Sequence, residues 1–486
     1  MAVNFWKLEH SPDRIAVVDA HTGREWTYGE LRTDVARAAK AAGRGKKSLL
    51  MLLAQNRYEC LVAYLAALNS GDALMMVDAT LNQELLARLV ETYRPDFIYG
   101  EAGEAEFSGY GKRQAEGLWV WENEKPETGE IHESLAVLLN TSGSTGSPKL
   151  VRLSGGNLQA NAAAIVSYLG LTEKEKPITS LPMAYSYGLS VINSHLLAGA
   201  TLVLNEHGVL RREFWDALDK YECTSFAGVP YTYQMLLQTG LLKKRGATLR
   251  TLTQAGGALA EPYVRQMHEV AQERGFRFFV MYGQTEATAR ISYLPFENLA
   301  AKVGSIGVAI PGGALHVDAE TGELVYSGPN VMMGYAECRS DLAKGDELGG
   351  VLRTGDLARQ DGDGFFFVTG RMKRFLKMFG KRFNLDEVEQ IVQQRFGFPA
   401  ACFGRDDLLR VAIEAGGESM DAVVAMLSET FGIPRNAARV ETISALPRTG
   451  RGKIDYQALA ARNDDARNED GRNEAARDTA ASRVNG

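Results

Sequence analysis

Short apolar runs alternate with amphipathic stretches along this chain, and the alternation predicts most of its elements. Runs at residues 15–19, 48–53 and 73–78 predict strands, while a stretch opening at residues 27–31, with Thr27 as N-cap, predicts an amphipathic helix. A second helix is predicted over residues 60–69, ending near Gly71. Strands alternating with helices in this way are the pattern of α/β layers. Further on, the pattern predicts strands at 135–139, 151–153, 200–204, 224–230, 252–259, 278–282 and 365–368. It also predicts a helix over 189–197 and another beginning near Asp386. From about Arg462 the chain is rich in Asp, Asn, Arg and Ala, and it reads as a disordered tail.

At 486 residues the chain is too long for one ordinary core and implies two or more domains. A formal net charge of −6, with both signs mixed, argues against a generic nucleic-acid binder. Cys60, Cys223, Cys338 and Cys402 are far apart without C-x-x-C spacing, so unpaired thiols and no zinc site are expected. No N-terminal apolar signal core and no run of membrane-spanning length are found, which makes the cytoplasm the expected compartment.

One stretch stands out for its chemistry. The apolar run at 135–139 stops in a loop of hydroxyls and glycines, Thr141, Ser142, Gly143, Ser144, Thr145 and Gly146, that ends at Lys149. Small residues let the backbone turn so that its N–H groups converge on a phosphate, and the lysine adds positive charge. Pro148 stands where a Walker A loop needs glycine, and a strand rather than a helix follows. A plain surface loop is the alternative. The Asp361-Gly362-Asp363-Gly364 turn lacks the remaining ligands of a calcium-binding EF-hand.

The loop closely resembles the phosphate loop of the acyl-adenylate-forming superfamily, which includes acyl-CoA synthetases, luciferases and nonribosomal peptide synthetase adenylation domains. Two other stretches resemble the family's motifs in the family's order. Tyr282-Gly283-Gln284-Thr285-Glu286 ends a buried aromatic strand, and Leu446 to Asp455 forms a glycine-flexed loop presenting Lys453. The resemblance covers roughly residues 10 to 460. It departs at Leu150, a usual glycine, at Gly155, often histidine, and at Leu352, usually aromatic.

The resemblance implies an α/β fold: a large N-terminal adenylation domain (1–371) of layered subdomains with a small β subdomain, then a small mobile α+β C-terminal domain (372–461) and the tail (462–486). It implies that ATP is held by the phosphate loop, by Gly256, Gly257 and Tyr282 around adenine, by Asp356 at the ribose hydroxyls and by Arg371 at ribose or phosphate. Thr285 would contact the α-phosphate and Glu286 would bind Mg²⁺. Tyr185, Ser186, Gly188 and Phe226 would line the acyl pocket. Amino-acid activators place an aspartate near Gly188, so its absence favours a fatty or aryl acid. Lys373 would be the hinge, swapping Lys453, for adenylation, with Lys377, near an incoming thiol. The implied activity is an ATP-dependent carboxylate–thiol ligase whose thiol is CoA or the phosphopantetheine of an acyl carrier protein. An adenylase passing its acyl group to an amine and a non-catalytic nucleotide-binding paralogue remain the alternatives.

Overall fold

The computed structural model describes residues 4–42, 46–101, 106–115, 117–140, 149–372, 374–378, 381–405, 407–417, 419–449 and 453–461. The chain divides into two compact units. One comprises Met1–Asp318, Leu324–Thr354 and Gln360–Phe367, and the other Ala319–Glu323, Gly355–Arg359 and Val368–Gly486.

In the first unit the apolar runs become the middle of an eight-stranded sheet. Strands Leu49–Ala54 and Ala73–Asp78 pair in parallel, and Leu135–Asn140 joins them, also in parallel. All six residues of Leu49–Ala54 are buried, as expected of a strand covered on both faces. Leu150–Ser154 then returns antiparallel to Leu135–Asn140, and the short strand Gly334–Ala336 closes that edge. The predicted helices are present as Tyr28–Ala42 and Tyr58–Ser70. Thr27 caps the first reciprocally: its Oγ1 accepts from Glu30 N at 3.1 Å and its N–H donates to Glu30 Oε2 at 2.7 Å.

A second sheet carries the aromatic strand. Ser225–Gly228, Thr251–Gln254 and Arg277–Tyr282 run parallel, followed by antiparallel Ser292–Leu294 and Val308–Ala309. Helix Ser186–Ala198 is longer than the predicted 189–197. Three strands are shorter than predicted, the first being Ser225–Gly228 in place of 224–230, because Pro230 opens helix Pro230–Thr239. Leu202–Leu204 starts two residues late, and Thr251–Gln254 stops before the glycine pair, because the chain turns there into helix Glu261–Arg274. The acidic turn at 361–364 holds a lysine: Lys302 Nζ bridges Asp361, at 2.8 Å, and Asp363.

The second unit packs helices Leu385–Phe396 and Ser419–Phe431 on a sheet of Ala400–Arg405, Leu408–Ile413 and Ala438–Thr442, with hairpin Phe375–Met378/Lys381–Asn384 alongside. A largely buried ionic knot ties these pieces together. Arg374 donates to Asp386, to Glu389 Oε1 at 2.7 Å and to Cys402 O at 2.7 Å, and its guanidinium lies 3.8 Å from the Tyr456 ring centroid. Tyr456 in turn donates to Glu389 Oε2 at 2.9 Å. Burial raises the Glu389 carboxyl above its ordinary range despite the arginine beside it.

Removing the cation strands a buried carboxylate, so Arg374→Met is expected to cost this unit about 3–5 kcal/mol in denaturant unfolding. Glu389 then escapes its buried charge by taking up a proton. An acid whose folded pKa lies above its unfolded value stabilises most at low pH and loses that stability as pH rises. The variant should therefore be more stable near pH 5 than near pH 8; a loss that does not depend on pH would mean Glu389 finds another cation.

Candidate active site

The aromatic strand Arg277–Tyr282 delivers its motif into a tight turn. A Cβ at Gly283 would lie 1.7 Å from the Ala289 carbonyl oxygen, so only glycine lets the chain double back here. Past it, Thr285–Ala287 forms a 3₁₀ turn that points Thr285 and Glu286 in new directions. Thr285 Oγ1 lies 3.2 Å from Ser186 Oγ, at the start of helix Ser186–Ala198. Gln284 Nε2 donates to the Tyr282 hydroxyl at 3.1 Å and to Thr354 O at 2.9 Å, fixing the Tyr282 side chain.

Glu286 Oε1 accepts from the Tyr335 hydroxyl at 2.9 Å. Burial first, and then the negative charge of Glu286, hold that hydroxyl protonated well above the ordinary phenol range, so it acts as a donor. The Tyr335 ring also carries Lys149, whose Nζ lies 3.7 Å from its centroid and 3.7 Å from Glu337 Oε1. One tyrosine thus links the terminal lysine of the hydroxyl–glycine loop to the motif carboxylate. The strand bearing it is held by Arg152, which is fully buried and donates to the carbonyls of Tyr335 at 3.0 Å and Met333 at 3.3 Å, and to Glu347.

Three of the acyl-pocket candidates, Tyr185, Ser186 and Gly188, sit at one helix start. Tyr185 is buried, with its hydroxyl against the Gly256 turn, and Gln254 Nε2 closes that turn onto Gly257 O at 2.8 Å. A Cβ at Gly188 would lie 2.3 Å from Pro182 O, so this position accepts no side chain at all. Phe226 belongs first to the core: it is 2% exposed and its ring packs near Phe214, Trp215 and Tyr233. It also lines a small cavity shared with Val191 and Ala227.

In the second unit, buried Asp356 accepts from Arg371 Nε at 3.0 Å. Lys453 follows Arg448, which bridges to Ile454, and its carbonyl accepts from Thr449 N at 2.8 Å. Lys377 lies in hairpin strand Phe375–Met378. Thr141, Ser142, Gly143, Ser144, Thr145, Gly146 and the hinge candidate Lys373 lie outside the described residues.

Tyr335, Gln284, Arg152 and Glu337 were not picked out as site residues from sequence. Gln284 stood inside the motif itself. The role of Tyr335 depends on pairing with Leu150–Ser154 across some 180 residues, which no local pattern encodes. Among the described residues no group of three or more His, Cys, Asp or Glu is placed to hold a metal. A single carboxylate such as Glu286 suits Mg²⁺, which commonly takes one or two protein ligands and fills its shell with phosphate oxygens and water.

A family model described as AMP-binding enzyme matches residues 5–336. The chain is 29% identical over 482 residues to a feruloyl-CoA synthase from an Amycolatopsis species, covering 91% of this chain and 95% of that protein. It is 26% identical over 487 residues to an indoleacetate–CoA ligase from Aromatoleum aromaticum, covering 90% and 94%. The o-succinylbenzoate CoA synthetase of Bacillus subtilis, solved with the acyl-adenylate intermediate OSB-AMP, superposes with a TM-score of 0.75 at 22% identity, covering 93% of this chain and 96% of that one. The same enzyme in complex with ATP and magnesium ion superposes with a TM-score of 0.71.

Tyr335→Phe keeps the ring under Lys149 and removes only the hydrogen bond to Glu286. If that bond orients a metal ligand, the Mg²⁺ needed for half-maximal pyrophosphate release should rise about tenfold, with ATP affinity nearly unchanged. An unaltered Mg²⁺ curve would make the hydrogen bond purely structural.

Proposed function

We infer what this chain does from one premise: it belongs to the AMP-binding enzyme family. It is an AMP-forming acid–thiol ligase. It activates a carboxylic acid as acyl-AMP, releases pyrophosphate and passes the acyl group to a thiol, which we take to be that of CoA, as in the feruloyl- and indoleacetate-activating relatives. The observation that carries this reading is the Lys149–Tyr335–Glu286 relay beside Thr285, which brings a cation, a carboxylate and a hydroxyl close together.

A carboxylate attacking a phosphate brings two negative charges together, so catalysis is positioning plus charge stabilisation. Mg²⁺ bound at Glu286 would supply Lewis-acid polarisation of the phosphate oxygens. Thr285 and Ser186 hold hydroxyls 3.2 Å apart at the mouth of the acyl helix, where they can orient the reacting carboxylate and the phosphate. Lys149 adds fixed positive charge. Asp356, aligned by Arg371, accepts from the ribose hydroxyls. Tyr185 and the side-chain-free Gly188 leave no acid to hold a substrate ammonium, which favours acids without an α-amino group.

Lys453 and Lys377 both belong to the second unit. We take Lys453 to serve adenylation and Lys377 thiol transfer, exchanged by rotation about Lys373. Lys453→Ala should then slow acyl-AMP formation about a hundredfold or more while leaving thioester formation from supplied acyl-AMP nearly intact. Lys373→Pro should do the opposite, because proline fixes φ where the chain must swing. Equal losses in both half-reactions for either variant would refute the exchange. The activity itself is tested by pyrophosphate release across a panel of carboxylic acids, with and without CoA. Matched pairs such as phenylpropanoate and phenylalanine should favour the member without nitrogen; no release with any acid would overturn the ligase reading.

A further inference from the structure

One face of helix Ser186–Ala198 carries Tyr187, Val191 and His195 at four-residue steps. Between this face and the strands Ser225–Gly228 and Thr251–Gln254 lies a cavity of about 20 Å³, lined by Val191, His195, Ser225, Phe226, Thr253 and Arg290 among others. At Val191 and Ala227 it adjoins a second small cavity that reaches Gly188. A helix rises 1.5 Å per residue, so Val191 and His195 lie about 7.5 and 13.5 Å along the axis from Ser186, whose hydroxyl meets Thr285. Counted along the helix, the cavity therefore lies beyond Gly188, away from the Ser186–Thr285 contact.

Several of its polar atoms lack partners among the described residues. Arg290 is 2% exposed, and its Nε and Nη1 have no hydrogen-bond partner among the described residues. It faces the Tyr187 ring, with 4.0 Å from guanidinium carbon to centroid, and hydrogen-bonds the Tyr168 hydroxyl, but pairs with no described carboxylate. An arginine keeps its charge even when buried, and each guanidinium N–H left without an acceptor there is costly. His195 Nδ1 lies 2.8 Å from Val191 O and must donate to it, so a neutral ring turns its Nε2 lone pair toward the cavity. Burial pushes its pKa down to about 4, so the ring is neutral at pH 7. Nε2 and Ser225 Oγ are also unpartnered among the described residues.

Two donors, one lone pair and a hydroxyl thus surround a space of roughly one water's size. A methyl group satisfies none of them. A carboxylate satisfies Arg290 but is larger than the space and sets its own lone pairs against His195. A hydroxyl accepts from Arg290, donates to His195 and fits. We propose that this cavity reads a hydroxyl group at the end of the acid remote from its carboxylate, making the substrate a distally hydroxylated aryl or alkyl acid. The inference rests on the ligase reading above and names the class of acid for that same site.

The test compares kcat/KM for pyrophosphate release with matched acids. These are para-hydroxycinnamate, cinnamate and para-carboxycinnamate, and octanoate with and without a terminal hydroxyl. A site built to hydrogen-bond a hydroxyl rejects the analogue lacking it strongly, so the hydroxylated member of one pair should win by about a hundredfold or more. In Arg290→Met, and in the uncharged His195→Leu if the former fails to fold, that ratio should collapse towards one. No preference for the hydroxyl in either pair, preference for the carboxy analogue, or an unchanged ratio in a folded variant overturns the inference while leaving the ligase reading standing. Failure of every acid to release pyrophosphate would remove both.

Discussion

At Gly283 two backbone segments pass so close that a single methyl group could not be placed between them; the Ala289 carbonyl occupies its space. That approach lets one strand end as an aromatic core element and reverse within a few residues. Thr288 completes the reversal with a positive φ of 64°, and its hydroxyl donates to Asn330 O at 2.6 Å. Several candidate site residues of the first unit are placed relative to this turn. Upstream, Tyr282 is held by Gln284; within it, Thr285 meets Ser186 and Glu286 meets Tyr335; just beyond it stands Arg290. A residue with a side chain at 283 would separate these groups rather than only destabilise a loop.

Three interior arginines show how the fold distinguishes structure from function. Arg152 and Arg374 are both surrounded by acceptors, carbonyls and a carboxylate for one, two carboxylates, a carbonyl and an aromatic face for the other. Their charge is spent on holding chain segments together, the strand of Tyr335 in one case and the helix, sheet and C-terminal segment of the second unit in the other. Arg290 has the aromatic face but lacks comparable acceptors at Nε and Nη1. Satisfied buried charge fixes a conformation, whereas unsatisfied buried charge beside a cavity is a demand for a ligand atom.

The secondary structure was largely legible because continuous apolar runs such as Leu49–Ala54 are buried on both faces, and because Thr27 and Gly71 mark helix ends by local chemistry. The motif residues were legible for the same reason: Tyr282, Thr285 and Glu286 follow one another in the chain. What stayed hidden depends on distance along the sequence. Nothing near Tyr335 announces that its strand will pair with Leu150–Ser154 and bring it between Lys149 and Glu286. Phe226, which the resemblance puts in the acyl pocket, is also a core residue, with three aromatic rings packed around it. A strand end shows where a residue lies, but the neighbours that decide its role come from elsewhere in the chain.

The charge pattern around the turn has its own logic for a reaction between two anions. A carboxylate at the point of attack is, by itself, the wrong sign. In the proposed reaction Glu286 would be useful only by recruiting a cation, and its own position must then be fixed so that the cation is fixed. Tyr335 does this with a hydroxyl that burial and the neighbouring carboxylate keep protonated, and the same ring supports Lys149 on its face. Coupling the two through one rigid side chain sets the spacing between the Glu286 carboxylate and an ammonium group. Two independent flexible side chains would each have to find that spacing at an entropic cost on every turnover.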